Sequence, residues 1–428
     1  MKIFFCNWRG LESNSSRLRS VLFIFFSLSI LLFPLGQALR VILPILCLPI
    51  IILLYIQDWN NSTLRILPFR WLFIIFIASF IIQLVTSEWL AASWASVKPN
   101  LLRGIVLAFV GMEVVRSEKD LRWLIIIFAV TFFYEGLDGV WQVLTGFDYI
   151  KHTAIMSGRL TGSLGTYRVG NYMAIIALPA FGIWTLLPMK NNRLRIVAVA
   201  VLLSPGLFLW LGSFTRIGYL ALLGALYILW ICIWTKFSLL KVIVPPMLLL
   251  VVLSMFGIAR LSWETMLNDP RIELWIRAIE VGKEHLWLGT GSSTFILALQ
   301  KQGIILQSVP SMDLGHPHNI YIQFFIDGGL IGFTSYILFF VIITLWTLFH
   351  IRRGVQKEIQ GLFPGCYWQL LSFIWAGWVA YLITGFCGHD FYRTWWLSTA
   401  ATLLGILIGG CQWGKKDSKK ELDSVSLV

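Results

Sequence analysis

Long apolar runs recur along the whole chain, and they are the feature that most restricts its fold. Runs of roughly 17–25 residues with few charges are typical of transmembrane helices, because a helix of that length crosses the hydrocarbon core of a bilayer. Hydrophobic residues make up 58% of the 428 residues and charged residues only 13%, about half the charged share of average soluble domains. We therefore predict an all-α, polytopic integral membrane protein.

About twelve such runs can be delimited, separated by polar segments. The predicted spans cover residues 21–36, 41–56, 71–87, 101–115, 121–142, 169–187, 196–213, 217–235, 239–259, 329–349, 366–387 and 395–411. Several of these runs are short, so we expect the helices to extend into the polar residues on either side.

The basic residues predict the orientation of the helices. With the N-terminus in the cytoplasm, most of the 34 Lys and Arg residues fall on the cytoplasmic side, as the positive-inside rule requires. Asp269-Pro270 is a typical helix start, and mixed apolar and charged residues follow it, which predicts amphipathic helices outside the membrane. The predicted division is residues 1–259 with nine transmembrane helices, 260–319 as a large periplasmic loop, 320–413 with three further helices, and 414–428 as a cytoplasmic tail.

Several functional classes conflict with the composition. The net charge of +13 does not indicate nucleic-acid binding, because basic residues between spans set topology and no basic, aromatic-rich soluble module is present. The six cysteines show no paired spacing, so they predict neither a disulfide framework nor a metal site. The glycines of WLGTGSSTF resemble a phosphate loop, but the lysine and the preceding strand are missing. We expect a turn there and no nucleotide cofactor.

A histidine pair stands at the start of an apolar run, in LGHPHNIYIQFFIDGG. Pro317 fixes the backbone and Asn319 can cap the following helix, which leaves the His318 imidazole available as a general base near neutral pH. His318 could instead be a simple helix cap, and the pair could hold a metal ion. Carboxylates are scarce nearby, so we expect no metal. His316 is a solvated neighbour or a partner of His318.

Arginines and two acids lie on the same predicted side. Arg216 occupies the junction of two spans in LGSFTRIGYL, with almost no loop between them. Its guanidinium could bind phosphate through two parallel hydrogen bonds, or it could extend to the lipid headgroups as a snorkelling side chain. Arg159, Arg271 and Arg393 lie on that side too. Glu135 and Asp138 share a helix face and are either functional acids within the membrane or acids facing a loop-covered cavity.

Four stretches resemble, in order and spacing, the O-antigen ligase and polymerase superfamily. HPHNIYIQFFIDGGLIGF resembles its histidine and asparagine signature, GRLTGSLGTYRVGN its Arg-Gly-Asn segment, SFTRIGYL its span junction, and NDPRIELWIRAIEVGKEHLWLGTGSSTF its large periplasmic loop. The resemblance covers roughly residues 150–350. The chain departs from the family at His285-Leu286-Trp287, where a proline is usual.

The resemblance implies a membrane-integral glycosyltransferase of the C type that acts without metal or other cofactor. It would transfer a glycan from an undecaprenyl-pyrophosphate carrier to a sugar hydroxyl of lipid A–core, as an O-antigen ligase in lipopolysaccharide biosynthesis. Its active site would face the periplasm from the bacterial inner membrane. His318 would be the general base and Arg216, Arg271 and Arg159 would bind the pyrophosphate. The residues expected around them are His316, Asn319, Asp390 and Arg393.

Two other functions remain open. An O-antigen polymerase would pass the glycan to another carrier-linked repeat unit; we favour the ligase because the histidine signature is well kept. A transporter is the alternative from another class. Transporters with two six-span halves have a long inner loop and show internal repeats, whereas this chain has its long loop on the predicted outer side and shows no repeat.

Overall fold

The computed structural model describes residues 14–166, 168–189, 191–235, 238, 240–245, 269–304, 315–387 and 390–425, and in this part the chain is helical apart from turns, short connections and isolated β-bridges. The main helices are α1 (Asn14–Leu31), α2 (Gln37–Asp58), α3 (Trp71–Thr86), α4 (Leu90–Val114), α5 (Glu118–Thr145), α6 (Val169–Phe181), α7 (Asn192–Gly212), α8 (Arg216–Leu229), α9 (Pro270–Glu284), α10 (Phe295–Lys301), α11 (Ile320–Ile359), α12 (Tyr367–Thr384) and α13 (Thr394–Val425). Short helical segments cover Trp59–Asn61, Thr63–Ile66, Ile183–Leu186 and Trp230–Trp234.

Eight of the described helices are long and apolar enough to cross a membrane, which confirms the predicted all-α, polytopic class. The predicted total of about twelve is larger. Spans 21–36, 71–87 and 366–387 are helical, as α1, α3 and α12, but these helices are not among the eight. Span 239–259 lies largely outside the described residues. Several helices extend beyond the predicted spans, as expected. Helix α4 begins at Leu90 where the span was predicted from residue 101, α11 begins at Ile320 where it was predicted from 329, and α13 ends at Val425 where it was predicted to end at 411.

Close backbone contacts at glycines hold the long helices together. A Cβ atom added to Gly111 of α4 would lie 2.9 Å from the Cα of Gly405 in α13, and one added to Gly136 of α5 would lie 2.1 Å from the Gly206 nitrogen in α7. Small residues allow membrane helices to approach in this way, because lipid gives no hydrophobic driving force and packing must rely on contact.

The bundle has two chemically different ends. At one end, Ile320 at the start of α11 donates a backbone hydrogen bond of 3.0 Å to the Gly385 carbonyl, just beyond the end of α12. Because His316 and His318 directly precede α11, we call this the histidine end. At the other end, the Arg116 guanidinium pairs with Glu113 at 2.7 Å and lies 4.0 Å from the centre of the Trp413 ring.

Two native cysteines flank α12 and allow its orientation to be tested. Cys366 directly precedes α12, Cys387 follows it at the histidine end, and both are partly exposed. If the histidine end faces the periplasm, a membrane-impermeant maleimide added to spheroplasts should label a variant that keeps only Cys387. A variant that keeps only Cys366 should react only after the membrane is permeabilised. The reverse pattern would place the histidine end in the cytoplasm.

Candidate functional site

Helix α11 is broken at Gly329, and its first part folds back along the rest. Gly329 adopts φ 57° and ψ −158°, a conformation that glycine reaches without the steric cost paid by other residues. The centre of the Phe324 ring lies 4.6 Å from that of Tyr336 and 5.8 Å from that of Phe340. In a continuous helix the Cα atoms of Phe324 and Phe340 would be about 24 Å apart. Residues 320–328, here called the front helix, therefore form a hairpin with residues 330–359, the long arm.

The break is closed by residues 285–291, here called the cap loop. Four backbone hydrogen bonds join it to α11: Thr290 N to Ile326 O at 2.8 Å, Gly291 N to Asp327 O at 3.0 Å, Leu330 N to Leu286 O at 2.8 Å, and Ile331 N to Trp287 O at 3.3 Å. Backbone groups buried at a helix break need such partners. The glycines of WLGTG thus form a turn, as predicted, and its amides bind carbonyls of the chain itself.

The two histidines stand together at the start of the front helix. Their ring centres are 4.1 Å apart, and the exposed fractions of His316 and His318 are 4% and 3%. The prediction that His316 is a solvated neighbour is therefore wrong, because its ring is buried beside that of His318. The Asn319 side chain accepts hydrogen bonds from the backbone amides of Tyr321 and Ile322 at 2.9 and 3.1 Å, which confirms the predicted cap. His318 therefore does not cap the helix through its side chain.

The backbone at His318 is held in an unusual conformation. Its φ is +54°, in the left-handed region that non-glycine residues seldom occupy and that is frequent at functional sites. The Trp275 indole N–H donates a 2.8 Å hydrogen bond to the Pro317 carbonyl, between the two histidines. Trp275 lies on α9, so the large loop directly fixes the position of the histidine turn.

Gln323 fixes the segment before α13 against the front helix. Its Nε2 donates to Asp390 Oδ1 at 2.8 Å, and its Oε1 accepts from the Phe391 amide at 2.9 Å. The side chain is buried. Asp390 and Arg393, both predicted near the site, are thereby held beside the first turns after His318. Gln323 was not predicted from the sequence; an amide one turn after the Asn319 cap, within an apolar run, was the available signal.

Arg271 reaches the same region from α9. The Asp269 side chain caps this helix by accepting from the Arg271 amide at 3.0 Å, which confirms the predicted helix start. Helix α9 packs through Leu274 and its neighbours against Ile326 of the front helix. The Arg271 guanidinium lies close enough to the Cys387 thiol, just beyond α12, to oppose the rise that burial causes in its pKa. The structure thus brings Arg271 to the loop that precedes Asp390.

Arg159 and Arg216 form a second basic group around the start of α8. Leu160 donates a 2.9 Å backbone hydrogen bond to the Gly212 carbonyl, and Arg159 lies close enough to Tyr219 to act on its hydroxyl electrostatically. Arg216 is the first residue of α8 and is exposed. A Cβ added to Gly218 would lie 2.9 Å from the Gly170 carbonyl, so the starts of α6 and α8 adjoin. Helix α12 packs against α6, α8 and α11, so it contacts both the helix that begins at Arg216 and the helix that begins after His318.

The helix starts at this end share an electrostatic pattern. Basic residues lie at or beside the first position of described helices, whereas no acid occurs in the first turn of α6, α8, α11 or α13. These basic residues are Arg168, Arg216 and Arg393. A helix N-terminus carries partial positive charge and is stabilised by acids, so cations there do not serve helix stability. An arginine at such a helix start adds to the partial positive charge there, which favours a nearby anion.

The carboxylates of Glu135 and Asp138 bind the loop that covers them. The buried Glu135 accepts a hydrogen bond from the Ser163 hydroxyl, and Asp138 accepts from the Tyr149 amide at 2.6 Å. One turn on, the buried Gln142 accepts from the Thr161 amide at 2.9 Å and donates to the Thr153 carbonyl at 3.0 Å. These side chains of α5 hold the loop 146–166 that carries Arg159. The role of Gln142 was not predicted.

Lys151 introduces a cation into the same loop. Burial lowers the pKa of its ammonium group, the nearby Arg40 lowers it further, and the carboxylates of Glu135 and Asp148 oppose this effect. Within the described ranges, no group of three His, Cys, Asp or Glu side chains is arranged to hold a metal ion.

The chain matches a known family over part of its length. Residues 198–337 match the family model described as O-antigen ligase. The matched region contains Arg216, Arg271, the cap loop and both histidines of the turn, whereas Arg159, Asp390 and Arg393 lie outside it. No curated protein matches the chain.

Proposed function

We propose, from the match of residues 198–337 to the O-antigen ligase family model, that the chain belongs to that superfamily and is a glycosyltransferase of the inner membrane whose histidine end faces the periplasm. It would transfer a glycan from undecaprenyl pyrophosphate to a sugar hydroxyl of lipid A–core. The observation that carries this proposal is that Arg271 and Arg393 stand on segments held against the front helix that follows His318. Such an arrangement favours a ligand with several negative charges, as a lipid pyrophosphate has.

The proposed reaction breaks one bond and forms another. The acceptor oxygen attacks the anomeric carbon of the donor sugar, the bond from that carbon to the pyrophosphate breaks, and His318 takes the hydroxyl proton. The carrier leaves as polyprenyl pyrophosphate. Because pyrophosphate is already an activated leaving group, the reaction needs neither nucleotide nor ATP.

The arginines would stabilise the leaving group. Negative charge develops on the pyrophosphate as the bond breaks, and positioned cations lower the energy of that state. Arg216, Arg271 and Arg159 are the proposed pyrophosphate ligands, with Arg393 beside them. The hydrogen bonds that fix the Arg159 loop and the Asp390 segment support this assignment, since preorganised charges stabilise a transition state without rearranging.

Lysine replacements should distinguish phosphate binding from snorkelling. The planar guanidinium matches two phosphate oxygens, whereas a lysine ammonium cannot. We expect Arg216→Lys and Arg271→Lys each to lower the transfer rate at least about tenfold. Arg122→Lys is the matched control, because Arg122 is an exposed arginine paired with Glu118, and it should be near normal. Near-normal transfer by Arg216→Lys would identify a snorkelling arginine, which needs only a long stem and a positive tip.

The identity of the acceptor is tested by comparing two acceptors with the same donor. Purified protein is given a polyprenyl-pyrophosphate glycan together with either lipid A–core or a second carrier-linked repeat unit, and the products are weighed by mass spectrometry. A ligase extends lipid A–core. Product on the carrier-linked repeat alone would identify a polymerase, and no product with either acceptor would count against glycan transfer from this donor class.

A further inference from the structure

The first part of the loop 146–166 folds back along α5. Helix α5 ends at Thr145, but the Tyr149 amide donates a 2.6 Å hydrogen bond to the Asp138 side chain, which lies about two turns, or 10 Å, before that end. The Tyr149 ring also meets the Trp141 ring edge-on, with ring centres 5.5 Å apart. Residues 147–156, here called the loop tip, are therefore held beside the last turns of α5.

These last turns of α5 lie at membrane depth. The Glu118 carboxylate, at the start of α5, accepts a 3.2 Å hydrogen bond from the Cys366 amide, just before α12 begins. Because α12 runs from there to the histidine end, α5 also ends at the histidine end. Charged side chains crowd residues 118–122, so the roughly 20 residues of α5 that cross the hydrocarbon core extend to about residue 142. Asp138, and with it the Tyr149 amide, lies about 6 Å below that level.

The loop tip presents large apolar side chains on its outer surface. These exposed side chains are Phe147, Tyr149, Ile150, Ile155 and Met156. They continue the exposed apolar surface of α5, to which Trp141, Val143 and Leu144 belong. Exposed apolar patches mark contacts with a membrane or with another protein. Continuity with the outer side of a membrane-crossing helix favours lipid, and aromatic side chains such as Trp141 and Tyr149 are typical of the membrane boundary.

The backbone of the loop tip is satisfied within the protein. Each amide from residue 147 to residue 153 donates a hydrogen bond to an acceptor of the chain itself. The buried Asp148 carboxylate accepts three of these, from Ile150, Lys151 and Thr153, at 3.1, 2.6 and 2.6 Å. No water binds a free amide within lipid, so a backbone at membrane depth requires internal partners of this kind. A loop in water could leave its amides to the solvent.

We propose that the loop tip is inserted into the bilayer leaflet at the histidine end, where it binds the surrounding lipid and anchors the loop that carries Arg159. The tip is joined to Arg159 by two backbone hydrogen bonds with Met156, at 3.0 and 3.1 Å. The anchor would therefore hold the Arg159 backbone close to the membrane surface. This insertion requires only that the protein crosses a bilayer, and it does not depend on the proposed reaction.

Spin labels measure the depth of the loop tip directly. Tyr149→Cys and Ile150→Cys are made in a variant whose native cysteines are replaced by alanine, and the labelled proteins are reconstituted in liposomes. Oxygen enters the apolar layer and a polar nickel chelate does not, so the ratio of their collision rates should be at least about tenfold higher at both positions than at Gln300→Cys. Gln300 is the matched control, because it is exposed on α10 beside the exposed ion pair of Lys301 and Glu88.

Two other outcomes overturn the proposal. Ratios at Tyr149 and Ile150 equal to the ratio at Gln300 would place the loop tip in water. Low collision rates with both reagents, together with an immobilised spectrum, would show that a protein surface covers the tip, as in contact with a second copy of the chain. Leu137, an exposed side chain within the membrane-crossing part of α5, provides the value that corresponds to direct contact with lipid.

A second measurement uses the wild-type chain and does not depend on the folding of the variants. A phosphatidylcholine that carries a diazirine in one acyl chain is photolysed in liposomes that contain the protein, and the labelled peptides are identified. We expect labels on the peptide that contains Tyr149 and Ile150, and none on the peptide that contains Gln300. Labels on the membrane-crossing helices without any on residues 147–156 would contradict the insertion.

Discussion

His318→Ala is expected to lower the rate of glycan transfer by about 10²–10⁴-fold, the usual contribution of a general base, while the protein still inserts and folds. The acceptor hydroxyl is a poor nucleophile until a base takes its proton, and the turn that carries His318 is fixed by Trp275 and Asn319. The rate is measured in a single turnover with donor and acceptor both saturating, so that substrate binding does not enter the comparison.

Two variants separate the imidazole from the backbone that carries it. Asparagine, like histidine, is enriched among the non-glycine residues that adopt positive φ. His318→Asn should therefore keep the left-handed turn at φ +54° but lacks a base. It should be as slow as His318→Ala. His316→Ala should lose much less, because His316 is assigned no proton transfer. Equal losses at both histidines would indicate a structural or metal-binding pair.

Gly289→Ala is expected to abolish transfer and to destabilise the protein by more than about 4 kcal/mol, the range of exceptional substitutions. A Cβ at this position would lie 2.4 Å from the Asp327 carbonyl carbon, and the residue has φ +71°. The cap loop could no longer close the break at Gly329, and the front helix would lose its backbone hydrogen bonds to that loop. Thermal unfolding in detergent and the transfer rate are measured on the same preparation.

Gly303→Ala is the control for this effect. Gly303 has almost the same backbone, with φ +70°, but nothing lies within 4 Å of its would-be Cβ. Alanine there should cost only the left-handed strain of about 1–2 kcal/mol and leave the transfer rate unchanged. If the two variants behave alike, the close contact between the cap loop and α11 has no special role.

Much of the fold could be predicted from local sequence. Apolar runs predicted helices because their length matches a bilayer, and Asn319 and Asp269 were recognisable caps because side-chain capping depends only on residues two or three positions apart. Helix ends were less accurate. Helix α5 begins at Glu118, before the predicted span, because Ser117 and Asp120 form a capping box, and α11 continues past its predicted end to Ile359.

The form of the site could not be predicted from local sequence. The fold-back at Gly329 depends on hydrogen bonds from residues 286–291, far away along the chain, and a glycine pair alone does not reveal which glycine breaks the helix. Gln323 and Gln142 act through partners 67 and 19 residues away. Glu135 and Asp138 were correctly singled out as polar groups inside a span, but their hydrogen bonds to the loop 146–166 were visible only in three dimensions.

In the proposed reaction this site transfers a glycan and releases an intact lipid pyrophosphate, with His318 as the base and arginines as the phosphate ligands. The most direct test is to follow the carrier by ³¹P NMR during turnover of purified protein in excess EDTA. We expect polyprenyl pyrophosphate to form in a one-to-one ratio with the transferred glycan, and its rate of formation to be the same with and without EDTA. Loss of turnover in EDTA with recovery on adding a divalent metal, or release of polyprenyl monophosphate, would contradict it.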